Sequence, residues 1–316
     1  MKAIQIHNYG SSEQLKFEET RVPLMKNNEI FVKVFAASVN HLDIKIASGA
    51  MKDKSPLNFP WIPGYDFAGI IKSVGSSVEN FKEGDEIFGN CSGGSYAEFL
   101  TIDISKVAKK PGNLSFTAAA SVPHVAETAW QAIYTHGKLK KGQKILIHGS
   151  AGAVGSYAIQ FAHKSGAFVY ATASEENRTW VESLGADHFI DYRKTDFTSI
   201  VKDIDLVVDL VGGETQQKSY SVIKKGGRLI TTVGLITPDE IKKYGIYADH
   251  MVIKQSGQDL QKISDMLSEG EITTDVNIVL PLEKASEAWD IITNKKDRSL
   301  PKLSHGKIVL EVFKSK

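Results

Sequence analysis

Short runs of hydrophobic residues fill about the first 120 positions of the chain, and glycine and proline separate these runs. Residues 29–39 alternate apolar and polar side chains over part of their length, which is typical of a β-strand with one buried face. Residues 67–74, 86–88 and 96–102 are further apolar runs of strand length. Closely spaced strands with turn residues between them predict a compact β barrel or sandwich.

The hydrophobic pattern changes near Ser121, where residues 122–136 take on helical periodicity. Strands then alternate with helices to about residue 270, and this alternation predicts a parallel, doubly wound sheet. The predicted strands are residues 144–148, 168–172, 188–190, 206–210, 228–233 and 250–253. One apolar face marks the helix after the first strand, formed by Val154, Tyr157, Ala158, Phe161 and Ala162.

After about residue 272 the pattern becomes strand (277–280), helix (283–292) and strand (307–313). A lone strand cannot satisfy its backbone hydrogen-bonding groups, so we expect the last one to return to the first β domain. The parallel-sheet domain is then an insertion. The expected organisation is a β-rich substrate domain over residues 1–122, an inserted domain over 123–271, and a return segment over 272–316.

The strongest chemical motif is a glycine-rich turn after the first parallel strand, in residues 147–155 (Ile-His-Gly-Ser-Ala-Gly-Ala-Val-Gly). Backbone N–H groups of such a turn, here at Ser150, Gly152, Ala153 and Val154, face a pyrophosphate at the start of the helix. Gly152 allows the phosphates to approach, and Gly155 allows the helix to pack on the sheet. Ser150 replaces the first glycine of the usual G-x-G-x-x-G, but the strand before it and the helix after it favour nucleotide binding.

The end of the second parallel strand distinguishes NAD from NADP. An NAD site has an acidic residue there, and this position falls near Ser174, which is neutral. Arg178, one turn later, would supply charge to a 2′-phosphate, so the pattern favours NADPH. In the alternative interpretation Ser174 only caps the next helix and Arg178 is a surface charge. A slip of one residue would also restore an acid, because Glu175 and Glu176 follow directly.

Two further glycines, Gly212 and Gly234, follow the fourth and fifth parallel strands. They fall at the carboxyl ends of these strands, where doubly wound sheets bind ligands, and we expect them to contact the cofactor.

Composition and charge narrow the class of protein. Of the 316 residues 42% are hydrophobic and 24% charged, and the formal net charge is +1, so neither a nucleic-acid partner nor a membrane surface is indicated. Cys91 is the only cysteine, which excludes an intramolecular disulfide and a thiolate zinc cluster. The sequence has no apolar signal core and no run of about 18 apolar residues, so we expect a cytoplasmic protein.

Several motifs in order along nearly the whole chain resemble the medium-chain dehydrogenase/reductase superfamily, in its zinc-free quinone-oxidoreductase branch. This resemblance implies an α/β protein with a GroES-like β domain, an inserted Rossmann domain and a cofactor cleft between them; homodimers are common in the branch. Besides the glycine turn, the matching segments are residues 63–69 (Pro-Gly-Tyr-Asp-Phe-Ala-Gly), 74–75, 84–85, 94–98 (Gly-Ser-Tyr-Ala-Glu), 118–120, 128–130 (Thr-Ala-Trp), 185–187 with Tyr192, and 306–310 (Gly-Lys-Ile-Val-Leu).

The resemblance also implies roles for individual residues. Asn40 and Asp43 match the family's Asn-x-x-Asp beside the nicotinamide, where Asn40 would donate to a substrate oxygen and Asp43 would orient its neighbours. Thr128 matches a helix residue that contacts the nicotinamide region, and Tyr192 a tyrosine beside the 2′-phosphate. Lys307, in the last motif, is expected among the cofactor-binding residues. A loop fixed by local hydrogen bonds is the alternative interpretation of Asn40 and Asp43.

Zinc-containing relatives hold their metal at positions that correspond to Asn40, Tyr65 and Val125, none of which is a usual zinc ligand. Without a Lewis acid for alkoxide chemistry, the easier reaction is hydride delivery to an activated acceptor. We therefore predict an NADPH-dependent reductase of quinones or α,β-unsaturated carbonyls, with Tyr65 as hydrogen-bond donor to the acceptor oxygen or, alternatively, a packing residue. An enoyl-thioester reductase and a non-catalytic NADPH-binding redox sensor remain alternative functions.

Overall fold

The computed structural model describes residues 1–235, 238–293, 301 and 303–314. The chain divides into two compact units, one formed by Met1–His124 with Gln255–Lys316 and the other by Val125–Lys254. Because the second unit interrupts the first along the chain, the parallel-sheet domain is an insertion. Within the described residues, no helix has both the length and the apolar character needed to cross a lipid bilayer.

The strands and helices are numbered in chain order. The strands are β1 Lys2–Gln5, β2 Lys16–Glu19, β3 Glu29–Ser38, β4 Asp66–Val74, β5 Glu86–Asn90, β6 Phe99–Asp103, β7 Val107–Lys109, β8 Lys144–His148, β9 Phe168–Ala173, β10 His188–Asp191, β11 Ile204–Asp209, β12 Ile223–Thr231, β13 Tyr247–His250, β14 Val276–Pro281 and β15 Lys307–Glu311. The α-helices are α1 His41–Ala47, α2 Phe116–Ala120, α3 Pro123–Trp130, α4 Ala153–Lys164, α5 Arg178–Ser183, α6 Gly213–Ser219, α7 Pro238–Tyr244, α8 Gly257–Ser268 and α9 Ala285–Ile292. A π-helix, Gln131–His136, continues α3.

The first unit is built on a sheet in the order β14-β15-β3-β4-β5-β7, and β6 also pairs with β3. Alternation along β3 buries Ile30, Val32 and Val34 in a core shared with β4 and β5. The last strand, β15, pairs antiparallel with β3, with Leu310 opposite Ala37. The prediction that the final strand returns to the first β domain is therefore confirmed.

The second unit contains a parallel sheet in the order β10-β9-β8-β11-β12-β13, which confirms the predicted doubly wound fold. Its sixth strand was predicted at residues 250–253, and that position is wrong, because β13 covers Tyr247–His250. This edge strand has no apolar run. One of its polar residues, Asp249, accepts a hydrogen bond from His136 at 2.7 Å. A half-exposed edge strand has only a weak hydrophobic pattern. The apolar residues that follow it therefore shifted the predicted strand toward the C-terminus.

The boundary predicted between residues 271 and 272 also differs from the structure, in which the second unit ends at Lys254. Helix α8 packs on the β domain instead: the Ser264 hydroxyl donates to the carbonyl of Lys109 at 2.7 Å, and the Asn113 amide donates to the carbonyl of Leu267 at 3.0 Å. Helical periodicity shows that a helix has one apolar face but not which sheet this face covers. The first boundary lies after His124, two residues beyond the expected one.

Candidate active and cofactor sites

The predicted glycine turn joins β8 to α4. Gly149 has a φ of +70°, a conformation that favours glycine, and Gly152 precedes the first residue of α4. The amide and hydroxyl of Ser150 both donate to the carbonyl of Thr172, at 3.2 and 2.9 Å, and so fix the turn to β9. A Cβ atom on Gly155 would lie 2.4 Å from the Gly149 carbonyl oxygen, so only glycine allows this close packing. The N–H groups in the first turn of α4 have no partner within the helix and are therefore available to an anion.

A cavity of about 650 Å³ opens beside this turn in the second unit, a volume within the usual range for ligand sites. The residues that line this cavity follow the carboxyl ends of several parallel strands. Among them are Gly152, Ser174, Tyr192 and Val211. The lining residues are His148, Gly149, Ala151, Gly152, Thr172, Ala173, Ser174, Asn177, Tyr192, Arg193, Lys194, Thr195, Asp196, Phe197, Val211, Glu214, Thr215 and Lys218.

The position that distinguishes NAD from NADP lies where β9 ends. Ser174 is 7% exposed, lines the cavity, and accepts a hydrogen bond from the Asn177 amide at 3.2 Å. Glu175 and Glu176 are exposed and do not line the cavity. They face cations: Glu175 accepts from Arg178 at 2.6 Å, and Glu176 from Arg193 at 3.1 Å. The residue directly after β9 is therefore the neutral serine, and neither of the two glutamates that follow it lines the cavity.

Arg178, predicted as a partner of a 2′-phosphate, is not among the residues that line this cavity. Its guanidinium donates to Glu175 and, at 3.2 Å, to Glu182, and it lies 4.3 Å from the ring centroid of Phe189. The cations on the cavity lining are instead Arg193 and Lys194, beside Tyr192, and Lys218. Sequence reasoning missed Arg193 and Lys194, although both follow directly the tyrosine that it singled out.

Gly212 and Gly234 lie together at the carboxyl ends of β11 and β12. Asp209, the last residue of β11, accepts from the Gly212 amide at 2.9 Å and from the Gln216 amide at 2.8 Å. The same Gln216 nitrogen donates to the Gly234 carbonyl at 2.8 Å. Neither glycine lines the cavity, although Val211 does. Asp209 is a positioning residue that the sequence analysis did not identify.

The first unit contains a buried polar cluster around Asn40, at the junction of β3 and α1. We call Asn40, Asp43, Asp66, Tyr96 and Lys307 the Asn40 cluster. The Asn40 amide nitrogen donates to Asp66 Oδ2 at 2.9 Å, and its oxygen accepts from Lys307 Nζ at 2.5 Å. Lys307 Nζ also lies 3.8 Å from Asp66 Oδ2. All five residues are at most 5% exposed, so these polar interactions are protected from water.

Asp66 was not predicted, although it is the centre of the cluster's hydrogen bonds. Besides Asn40, it accepts from the Ser38 hydroxyl at 2.9 Å and from the backbone N–H of His124 at 2.8 Å. Burial lowers the pKa of Lys307, and the negative charge of Asp66 opposes this shift. A carboxylate at the start of an apolar strand, directly after Tyr65, was the available sequence signal for this residue.

Asp43 occupies a different environment from Asp66. Its Oδ2 accepts from the backbone N–H of Asn40 at 2.8 Å and from the Tyr96 hydroxyl at 2.9 Å. Its Oδ1 is buried and has no hydrogen-bond partner among the described residues. Burial raises the pKa of Asp43 to about 7. The structure thus brings together the predicted residues Asn40, Asp43 and Lys307. Charged partners hold the side chain of Asn40.

Tyr65, which directly precedes Asp66, is half-buried. Its ring centroid lies 6.3 Å from that of His124. Burial raises the pKa of Tyr65 to about 12, so the phenol stays protonated at neutral pH. Its carbonyl accepts from the Cys91 amide at 2.7 Å. Burial likewise raises the pKa of the Cys91 thiol to about 12, which makes this cysteine a packing residue and not a nucleophile. Thr128, on α3 in the second unit, is buried.

Comparison with known proteins identifies the family. Residues 26–112 match the model of the alcohol dehydrogenase GroES-like domain, and residues 184–310 match the model named zinc-binding dehydrogenase. The chain is 38% identical over 285 residues to the 2-methylene-furan-3-one reductase of Solanum lycopersicum, covering 86% of this chain and 70% of the relative. The chain belongs to the medium-chain dehydrogenase/reductase superfamily, in its quinone-oxidoreductase branch.

Two more members of the superfamily resemble the chain over nearly its whole length. The chloroplastic NADPH-dependent alkenal/one oxidoreductase of Arabidopsis thaliana is 35% identical over 307 residues, which cover 92% of this chain and 76% of that protein. The structure of Escherichia coli quinone oxidoreductase in complex with NADPH has a TM-score of 0.87 at 25% identity and covers 99% of this chain and all of that one. Membership of this superfamily makes the chain an oxidoreductase.

Proposed function

We propose that the chain is an NADPH-dependent reductase that delivers hydride to a quinone or an α,β-unsaturated carbonyl without zinc. The observation that carries the cofactor assignment is the cavity beside the glycine turn. The residue directly after β9 is Ser174, which carries a neutral hydroxyl, and Tyr192 and Arg193 line the same cavity. An acidic residue, which would hydrogen-bond the ribose hydroxyls of NAD, is absent from that strand end.

The second unit offers groups for each charged part of the cofactor. Gly152, Ala153 and Val154, at the start of α4, would present backbone N–H groups to the pyrophosphate. Ser174, Tyr192 and Arg193 would hold the 2′-phosphate, for which a guanidinium is a strong partner. NADPH, when bound, supplies the hydride. We also propose that Thr128, Gly212 and Gly234 contact the nicotinamide half, as the resemblance implies.

The first unit would supply hydrogen bonds to the acceptor. Hydride transfer to a conjugated carbonyl places negative charge on its oxygen, and a fixed donor stabilises that charge more than it stabilises the ground state. Asn40 has one amide hydrogen beyond the bond to Asp66, and the Tyr65 phenol stays protonated at neutral pH. We propose these two side chains as the donors, with Asp43 orienting Asn40 through its backbone.

The names of the relatives support this choice of acceptor. The tomato protein is a reductase of a 2-methylene-furan-3-one, and the Arabidopsis protein is an alkenal/one oxidoreductase. Both names describe the reduction of a conjugated carbonyl compound. We therefore place enones and quinones before saturated ketones and alcohols as substrates, and we propose a homodimer as the assembly.

Steady-state oxidation of NADPH tests this function. The purified protein is mixed with NADPH or NADH and with a panel of small quinones, alkenals, enones and enoyl thioesters, and the loss of reduced cofactor is followed. We expect turnover with quinones or enones, with a higher kcat/KM for NADPH than for NADH. Turnover with enoyl thioesters alone would favour the thioester reductase. Tight NADPH binding without turnover of any acceptor would favour a redox sensor.

A further inference from the structure

Lys307 is the buried cation of the Asn40 cluster. Its side chain, at the start of β15, is 6% exposed, and its ammonium lies 2.5 Å from Asn40 Oδ1 and 3.8 Å from Asp66 Oδ2. A lysine ammonium taken out of water is costly unless opposite charge and hydrogen bonds compensate for it. Asp66 supplies the charge, and Asn40 supplies an acceptor. The lysine is thus fixed by partners within its own unit.

The two charged partners determine which way the Asn40 amide faces. An ammonium can only donate hydrogen bonds, so the atom next to Lys307 must be the amide oxygen. An ionised carboxylate can only accept, so the atom next to Asp66 must be the amide nitrogen. Rotating the amide by half a turn would place N–H against the ammonium and oxygen against the carboxylate. Both charge-assisted bonds would become repulsive, so one orientation is selected.

This arrangement has a direct consequence for donation by Asn40. One N–H of the amide is committed to Asp66, and one lone pair of its oxygen is committed to Lys307. A single N–H remains for another acceptor, and its direction is set by the two charged neighbours. A donor whose orientation is fixed before the reaction stabilises developing charge without reorganisation during it.

We propose that Lys307 is a positioning residue for the acceptor donor Asn40 and not a ligand of the cofactor. This inference rests on the proposed reductase function. Lys307 acts through the amide: without the ammonium, the Asn40 oxygen loses its charged partner and the amide is held mainly by its bond to Asp66. The amide would then turn about that remaining bond, so its second N–H would no longer keep a fixed direction toward the acceptor oxygen.

A double-mutant cycle on kcat separates this role from a structural one. The variants are Lys307→Met, Asn40→Ala and the two combined, each measured with the best acceptor and saturating NADPH. We expect kcat to fall about tenfold or more in each single variant, with NADPH affinity changed less than about threefold. The kcat of the double variant should be at most about twofold lower than the kcat of the slower single variant, because Lys307 has no further effect once Asn40 is absent.

Lys110→Met is the matched control. Lys110 is a second buried, ion-paired lysine of the first unit: its side chain is 4% exposed and its ammonium lies 3.0 Å from Glu86. Its loss should lower the melting temperature but leave kcat unchanged. If Lys307→Met behaves in the same way, Lys307 is only a structural ion-pair partner. Losses that multiply in the Lys307→Met, Asn40→Ala double variant would show that Lys307 acts independently of Asn40, and either result overturns the proposal.

Two additions keep the test decisive. If Lys307→Met does not fold, the pair Lys307→Met with Asp66→Asn, which removes both buried charges together, replaces Lys307→Met in the cycle with Asn40→Ala. The side-chain amide signals of Asn40 in ¹⁵N-labelled protein, assigned by their loss in Asn40→Ala, give a readout without turnover. We expect two amide proton shifts displaced from those of a solvated asparagine, and both shifts should move toward the solvated values without Lys307. If wild type has these shifts but reduces no acceptor, the reductase function fails while the orientation by Lys307 stands; shifts insensitive to Lys307 overturn the proposal.

Discussion

The Tyr96 hydroxyl donates a hydrogen bond to Oδ2 of Asp43 at 2.9 Å, across 53 residues of the chain. The same Tyr96 oxygen accepts from the indole N–H of Trp289 at 3.3 Å. Asp43 is fully buried, and its other oxygen has no hydrogen-bond partner among the described residues. Burial raises its pKa from 3.8 to about 7. The folded protein therefore keeps this carboxyl protonated at pH values at which the unfolded chain has lost the proton.

This difference predicts a pH dependence of stability. Between about pH 4 and pH 7 the folded state binds more protons than the unfolded state at Asp43, so the contribution of Asp43 to the free energy of unfolding falls as pH rises and levels off above about pH 7. Burial lowers the pKa of His148 to about 4, which makes its contribution change in the opposite direction, so the Asp43 contribution is measured as the difference between wild type and Asp43→Asn. Between about pH 5 and pH 8 the fall should be on the order of 2 kcal/mol. Asp43→Asn should remove it, as measured by urea unfolding at both pH values. Asp103→Asn, at an exposed carboxylate whose pKa is lowered, is the control and should leave the fall intact.

The 2′-phosphate should be recognised through Arg193. Arg193→Ala is expected to weaken NADPH binding roughly tenfold or more and to leave NADH binding nearly unchanged, because only NADPH carries the phosphate. Arg178→Ala is the matched comparison, since Arg178 lies off the cavity with Glu175 and Glu182. Fluorescence titration with both cofactors measures the four affinities. A selective loss of NADPH binding in Arg178→Ala alone would restore the residue that the sequence singled out.

Alanine substitutions of two glycines of the turn, Gly155 and Gly152, should have different effects on stability and on cofactor binding. A Cβ on Gly155 would meet backbone atoms at 2.4 and 2.6 Å, so Gly155→Ala should lower the melting temperature by several degrees. A Cβ on Gly152 would lie 3.3 Å from its nearest neighbour, so Gly152→Ala should fold normally. It should still weaken binding of NADPH and NADH alike, because the methyl group would face the shared pyrophosphate. Calorimetry and titration of both variants test this; normal NADPH affinity in Gly152→Ala would contradict a pyrophosphate site there.

The sequence predicted the turn because it depends on a local pattern, and it predicted the return of the last strand because a lone strand leaves its backbone groups without partners. Glycine spacing between an apolar strand and an amphipathic helix is visible within ten residues. The arginine beside Tyr192 was harder to predict, since either Arg178 or Arg193 could reach a phosphate on the basis of its spacing alone. Lys307 was harder still. A lysine at the start of an apolar strand is usually solvated, and its partners Asn40 and Asp66 are more than 200 residues away.

Tyr65→Phe tests the proposed donor to the acceptor oxygen. The change keeps the ring and removes the hydroxyl, so kcat should fall about tenfold or more while NADPH affinity is retained. Because burial raises the pKa of Tyr65 to about 12, the ratio of mutant to wild-type kcat should stay constant from about pH 6 to pH 9. Tyr134→Phe, which removes a hydroxyl that donates to the Phe161 carbonyl, should not change kcat. Unchanged kcat in Tyr65→Phe would leave this residue a packing role.

Metal analysis of the purified protein should find less than about one zinc per ten chains. A divalent cation at the Asn40 position would lie beside the Lys307 ammonium, and the repulsion between like charges opposes its binding. Dialysis against a strong chelator should leave the rate of NADPH oxidation unchanged. One tightly held zinc per chain, lost together with activity, would contradict the zinc-free mechanism.

The position of Lys307 in the chain also constrains how the protein matures on the ribosome. Asn40 is synthesised 267 residues before the lysine that holds it. At about 5–20 residues per second, translation of this interval takes roughly ten to fifty seconds. The inserted unit has left the ribosome by then, whereas Asp66 and Asn40 still lack their cation. The second unit can thus fold before the first, whose sheet is complete only once β15 has been synthesised.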